Sequence, residues 1–149
     1  MSTLTEQRQR LNFRMIKSVS PLPRLFAMTD EARTLDPLAL VDRLSKGCGI
    51  IFRHYDAPNR HEMAERLVAS CRKNGITCLI AGDLQLAMAL GADGLHLPEH
   101  MLKRLPYGLH HFRKKGGLLT SAAHSRSAAV AALHIQVDGL FVSPVFATK

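Results

Sequence analysis

Six short apolar runs recur along this chain, at residues 25–28, 48–52, 76–80, 94–97, 118–124 and 139–145, and nothing else restricts its fold as much. They follow one another at a spacing of roughly 20 to 30 residues, the size of a strand plus a crossover helix. Most are continuously apolar, the pattern of parallel strands covered on both faces. The segments between them have helical signals. Asp36 caps a helix with Pro37 in its first turn, running to Gly47. Asn59 opens a second, in which Met63, Leu67 and Cys71 recur every four residues and Gly75 ends the run. Residues 84–90 form a short helix stopped by Gly91, and residues 99–105 a fourth. Residues 106–117 are less regular. Ser125 caps a fifth helix that continues through His134. Ahead of all this, residues 5–19 form a leading helix with Leu11, Met15 and Ile16 on one side, ended by Pro21 and Pro23.

Two α/β architectures fit: a doubly wound open sheet and a TIM-type (β/α) barrel. No Gly-x-Gly-x-x-Gly follows the first run, which argues against the dinucleotide-binding version. Both architectures gather chemistry at the C-terminal ends of the strands. The residues to weigh are therefore Thr29, Asp30, Arg53, His54, Asp83, His96, Glu99, His124, Thr148 and Lys149.

The chain of 149 residues suits one domain, and its formal charge of +8 suits an anionic partner, either nucleic acid or a phosphorylated small molecule. The same charge fits ordinary solvated helix faces, because the basic residues are scattered and the densest cluster is only Arg113, Lys114 and Lys115. With so few aromatic residues a stacking surface for single-stranded nucleic acid is not expected. Cys48, Cys71 and Cys78 lack CxxC spacing and read as buried free thiols of a reducing compartment. No run is long enough to cross a bilayer, and the first 20 residues lack the apolar core of a signal peptide. The expected setting is cytoplasmic.

Arg53 directly follows the second run, where a guanidinium can grip a phosphate through two parallel hydrogen bonds; the plainer reading is an arginine snorkelling to water. Thr148 and Lys149 offer a hydroxyl and an ammonium for a phosphate or carboxylate cradle, or else a solvated chain end. His124, at the end of the fifth run, suits general acid/base chemistry or a backbone bond near the next helix. His96, inside the fourth run, is a core histidine or a ligand contact. No pair of histidines has convincing zinc-ligand spacing. Asp30, Asp83 and Glu99 are carboxylates at strand ends where magnesium can sit; as isolated acids they equally suit helix caps and first turns.

Taken together, these segments resemble the thiamine phosphate synthase and thiazole tautomerase family over about residues 22–149. Residues 84–97, LQLAMALGADGLHL, and residues 138–149, DGLFVSPVFATK, carry most of the similarity. Residues 25–30 look like the family's first strand, and His124-Ser125 like the end of its Ser-Thr-His-Ser turn. The resemblance implies a (β/α)₈ barrel. It implies either a magnesium-dependent synthase that joins an aminopyrimidine pyrophosphate to a thiazole phosphate, or a metal-free tautomerase that moves a proton on a thiazole carboxylate phosphate. Measured against the family's Gln-Leu-Arg-Glu-Lys, residues 51–55 keep Arg53 but lose the Gln and Lys. The family's Asn-Asp-Arg becomes Ala81-Gly82-Asp83, its Gly-Gln-Glu-Asp becomes Pro98-Glu99-His100-Met101, and the Ser-Thr before His124 becomes Ala122-Ala123. The groups that would neutralise a leaving pyrophosphate, among them the carboxylates that would hold its magnesium, are thus mostly gone.

What remains implies a thiamine phosphate synthase-like protein of thiamine biosynthesis that binds a phosphorylated thiazole or thiamine phosphate. Arg53, Thr148, Lys149 and His96 would hold the ligand and His124 would be the catalytic residue. No cofactor is assigned, and Mg²⁺ enters only if synthase activity is retained. Two further readings are a metal-free tautomerase using His124 and an inactive binding or regulatory barrel. The organisation expected is a helical extension over residues 1–20 and a barrel domain over 21–149. That domain holds about six of eight βα units, because a full barrel needs about 200 residues or more. Open strand edges in such a piece would call for a partner, most simply a homo-oligomer.

Overall fold

The computed structural model describes residues 22–147. Six strands form one sheet: β1 (Phe26–Met28), β2 (Gly49–Phe52), β3 (Thr77–Ala81), β4 (Gly94–Leu97), β5 (Leu118–Ala123) and β6 (Gly139–Val142). Their spatial order is their sequence order, and every neighbouring pair is parallel. A doubly wound sheet reverses its strand order part-way, so this order excludes it. The sheet also curls. Phe26 on the first strand meets Phe141 on the last, ring centroids 5.5 Å apart and edge to face. The fold is the larger part of a (β/α) barrel, with an opening between β1 and β6.

The strands alternate faces, as their two-residue period requires. Ile51, Leu79, Ala81 and Leu118 point into the barrel, where Phe26, Met28 and Phe141 pack on them. Ile50, Phe52, Cys78 and Ile80 point outward to the helical layer. Gly49 opens space inside: a Cβ there would lie 2.2 Å from the Phe26 ring.

The outer layer contains α1 (Pro37–Val41), α2 (Arg60–Asn74), α3 (Leu84–Leu90), α4 (Leu109–Lys114) and α5 (Arg126–His134). In α2 the apolar stripe Ala64, Leu67, Val68 and Cys71 is buried against β2 and β3. Burial of a side chain such as Leu67 stabilises by about 1.5 to 3 kcal/mol. Glu62 in the first turn and Arg72 and Lys73 in the last oppose the helix dipole favourably, and Gly75, at φ 67°, closes the helix. Asp36, Asp83 and Ser125 each accept a backbone N–H at the start of α1, α3 and α5.

Several elements differ from the sequence expectation. The helix after Asp36 ends at Val41, and the chain continues in i→i+3 turns at Arg43 and Leu44. Residues 99–105 hold a 3₁₀ helix, Glu99–Lys103, rather than an α-helix. The irregular stretch contains α4, whose Leu109 and Phe112 are buried against Leu95, Leu97 and Leu119. Its short apolar spacing is hidden in the sequence by Gly108, Gly116 and Gly117. The sixth strand stops at Val142, leaving Val145 and Phe146 exposed. Cys71 and Cys78 are buried free thiols, whereas Cys48 is half-buried. The leading helix expected over residues 5–19 lies outside the described residues.

Candidate functional site

An open cleft of about 450 Å³ lies at the C-terminal ends of β2, β4 and β5, lined by Arg53, Tyr55, His96, Glu99, His100, Lys103 and His124, among others. Four side chains singled out in the sequence, Arg53, His96, Glu99 and His124, are therefore neighbours around one space. Thr148 and Lys149 lie outside the described residues.

Arg53 is held at its base. Its backbone N–H donates to Thr29 Oγ1 at 3.0 Å, and its Nε donates to the Thr29 carbonyl at 3.1 Å. Its Nη2 is 3.6 Å from Asp30 Oδ2. Asp30 is itself engaged by the backbone N–H groups of Ala32 and Arg33, so it closes a turn as well as facing the arginine. Thr29 also bonds to Nδ1 of His54 at 3.0 Å, and Nε2 of His54 donates to the Thr34 carbonyl, also at 3.0 Å. A carbonyl only accepts, so His54 carries its proton on Nε2. Buried and stacked on Phe52, His54 orders the loop after β1 and does not line the cleft. The sequence placed it among the strand-end candidates.

His96 points into the barrel from β4. Its Nδ1 is 2.8 Å from Thr120 Oγ1 on β5, and its ring meets Phe141 edge to face. Burial, with a smaller contribution from the Arg53 charge, lowers its pKa from 6.5 to about 4. It is neutral at neutral pH. Its Nε2 has no hydrogen-bond partner among the described residues and is available to a ligand in the cleft.

His124 is exposed at the end of β5. Its backbone N–H donates to Glu99 Oε2. Its Nδ1 is 2.8 Å from the Ser143 carbonyl and 3.2 Å from Ser143 Oγ. The carbonyl requires the proton on Nδ1, which leaves the Nε2 lone pair as the basic site.

Asp83 is not in the cleft. One carboxylate oxygen caps α3 through Leu86 N–H, and the other pairs with Arg60 Nη1 at 3.0 Å. Arg60, which the sequence did not single out, also donates to the carbonyls of His54 and Ala81 and lies over the rings of Phe52 and Tyr55. It ties the ends of β2 and β3 together. Lys103 and His100 also escaped the sequence reading as ligand contacts. Both lie on the 3₁₀ helix Glu99–Lys103, which the tertiary structure turns toward the cleft.

A family model described as TMP-TENI, thiamine monophosphate synthase, matches residues 25–149. The chain belongs to the thiamine monophosphate synthase family. A thiamine-phosphate synthase of Bacillus mycoides is 28% identical over 137 residues, covering 86% of this chain and 60% of the relative. One from Xylella fastidiosa is 54% identical over 41 residues, covering 28% of this chain and 18% of the relative. The solved thiamine phosphate pyrophosphorylase from Pyrococcus furiosus superposes with a TM-score of 0.65 at 21% identity, over 85% of this chain and 62% of that one, and shows the same fold. The chain thus spans less than two thirds of the length of each of these proteins.

The synthase reaction of the thiamine monophosphate synthase family implies magnesium, held by carboxylates after β3 and β4. The residues here do not fit it. Those positions are Gly82 and Met101. The nearby acids are committed, Asp83 to Arg60 and the α3 cap, Glu99 to His124 N–H. Among the described residues no group of three or more His, Cys, Asp and Glu side chains can hold a metal ion. Nor is any described helix long and apolar enough to cross a membrane.

Proposed function

We propose that this chain binds a phosphorylated thiazole, or thiamine phosphate, within thiamine biosynthesis, and that its chemistry is metal-free proton transfer by His124. One observation carries the proposal: His124 donates its Nδ1 proton to Ser143, so its Nε2 lone pair is the free basic atom of a residue lining the same cleft as Arg53 and His96. In this reading Arg53 grips the phosphate, and the neutral His96 offers Nε2 to a ring heteroatom. Nε2 of His124 takes a proton from one position of the heterocycle and returns it to another. Thr148 and Lys149 would join the phosphate cradle from the segment after β6.

Synthase activity is not favoured, because the carboxylates that would hold magnesium are replaced or engaged. A catalytically inactive binding barrel is the second reading, and the same replacements motivate it. We also propose a helical extension over residues 1–20, a barrel domain over 21–149 and a cytoplasmic setting. A homo-oligomer is part of it, supported by the exposed Val142, Val145 and Phe146 at the end of β6. Nucleic acid is not favoured as a partner: within the densest basic cluster, Arg113 is paired with Asp138.

Titration calorimetry with thiazole phosphate and with thiamine phosphate tests the ligand. No heat from either compound sinks the reading. Tautomerisation of a thiazole carboxylate phosphate, followed by proton NMR in the presence of EDTA, separates the tautomerase from the inactive barrel.

A further inference from the structure

We infer that Lys103, with His100, forms a cationic grip that binds a phosphate or pyrophosphate group directly, in the place where a divalent cation would otherwise neutralise it. The inference rests on the proposed phosphate ligand and concerns what supplies the positive charge. Both residues lie on the 3₁₀ helix Glu99–Lys103, and both line the cleft that contains Arg53. In a 3₁₀ helix side chains three apart eclipse one another, so His100 and Lys103 stand on one face. The i→i+3 bonds from Met101 N–H to the Pro98 carbonyl and from Arg104 N–H to the Met101 carbonyl fix that face.

The charge of the cleft points the same way. Arg53 and Lys103 are fixed cations, and His100 and His124 are positive when protonated. Among the described residues Glu99 is the single lining carboxylate, and it accepts the His124 N–H. The lining residues thus carry more positive than negative charge, Arg53 being shared with Asp30 behind it, and they lack the set of carboxylates that magnesium requires. A phosphate here meets N–H donors directly, and such charge-assisted hydrogen bonds are about twice as strong as neutral ones.

The test is calorimetric titration of the full chain with inorganic pyrophosphate and with thiazole phosphate, each in EDTA and in excess Mg²⁺. Expected is pyrophosphate binding in EDTA, weakened about tenfold in Lys103→Ala, restored in Lys103→Arg, and reduced by added salt. Lys103 is exposed, so thermal unfolding of Lys103→Ala should match wild type. The inference is overturned by binding that requires Mg²⁺, by an unchanged Kd in Lys103→Ala, or by no pyrophosphate binding at all. If thiazole phosphate binds but Lys103→Ala has no effect on either ligand, this inference fails and the proposed ligand stands. If pyrophosphate binds through Lys103 while thiazole phosphate does not, the reverse holds.

Discussion

Nδ1 of His124, on the loop after β5, lies 2.8 Å from the carbonyl oxygen of Ser143, just beyond β6. The bond spans two neighbouring strands and fixes both the ring orientation and the tautomer. If the lone pair left on Nε2 performs proton transfer, His124→Gln should lower turnover by about 10²- to 10⁴-fold. Ligand affinity should change little, because phosphate binding is assigned elsewhere. Turnover and binding are measured separately, by NMR and calorimetry. Undiminished turnover in His124→Gln removes the residue from the mechanism.

His96 makes stability depend on pH. Its folded pKa, about 4, lies below its ordinary 6.5, so the unfolded chain binds the proton more readily. The stabilisation is fully present above about pH 6.5 and is lost as pH falls toward 4, on the order of 3 kcal/mol in all. Urea denaturation across that window should show wild type losing stability faster than His96→Asn. Parallel curves for the two proteins would contradict the burial argument.

Arg60 is predicted to be a structural clamp. Its guanidinium serves Asp83 and two backbone carbonyls from a largely buried position, and a lysine cannot reproduce that fork. Both Arg60→Ala and Arg60→Lys should cost about 2 to 3 kcal/mol. A shift in urea midpoint corresponding to less than about 0.5 kcal/mol in Arg60→Ala, within the range of ordinary surface changes, would show that the clamp is dispensable.

Gly49 and Phe26 form a size-matched pair across β1 and β2. A methyl at position 49 would lie 2.2 Å from the ring, so Gly49→Ala should destabilise by about 1 to 3 kcal/mol through overpacking. Phe26→Leu in the Gly49→Ala background should recover part of that loss. A double-mutant cycle with no coupling energy would mean the ring moves aside freely.

Much of the scaffold was legible in the sequence. The six apolar runs gave the strands, and Asp36, Asp83, Ser125, Gly75 and Gly91 marked helix ends through local chemistry that needs no distant partner. The site was only partly legible. Arg53, His96 and His124 stood out because each sits in or just after a strand of a parallel fold. Arg60 did not, because its partners are 6 to 23 residues away and its role depends on where β3 ends. His54 looked like a site candidate because it follows a strand, and its structural role depends on Thr29 and Thr34 on a different βα unit. Lys103 was hidden because which side of its segment faces the cleft depends on packing against distant strands.

The parallel βα order and the family were readable from the residues alone, because strand burial and helix caps are written in short-range patterns. Packing across the whole chain makes the sheet curl so that Phe26 meets Phe141, desolvates His96, and joins residues from three strands in one cleft. Curvature and desolvation arise from contacts between segments far apart in the chain, and local patterns carry no record of those distances.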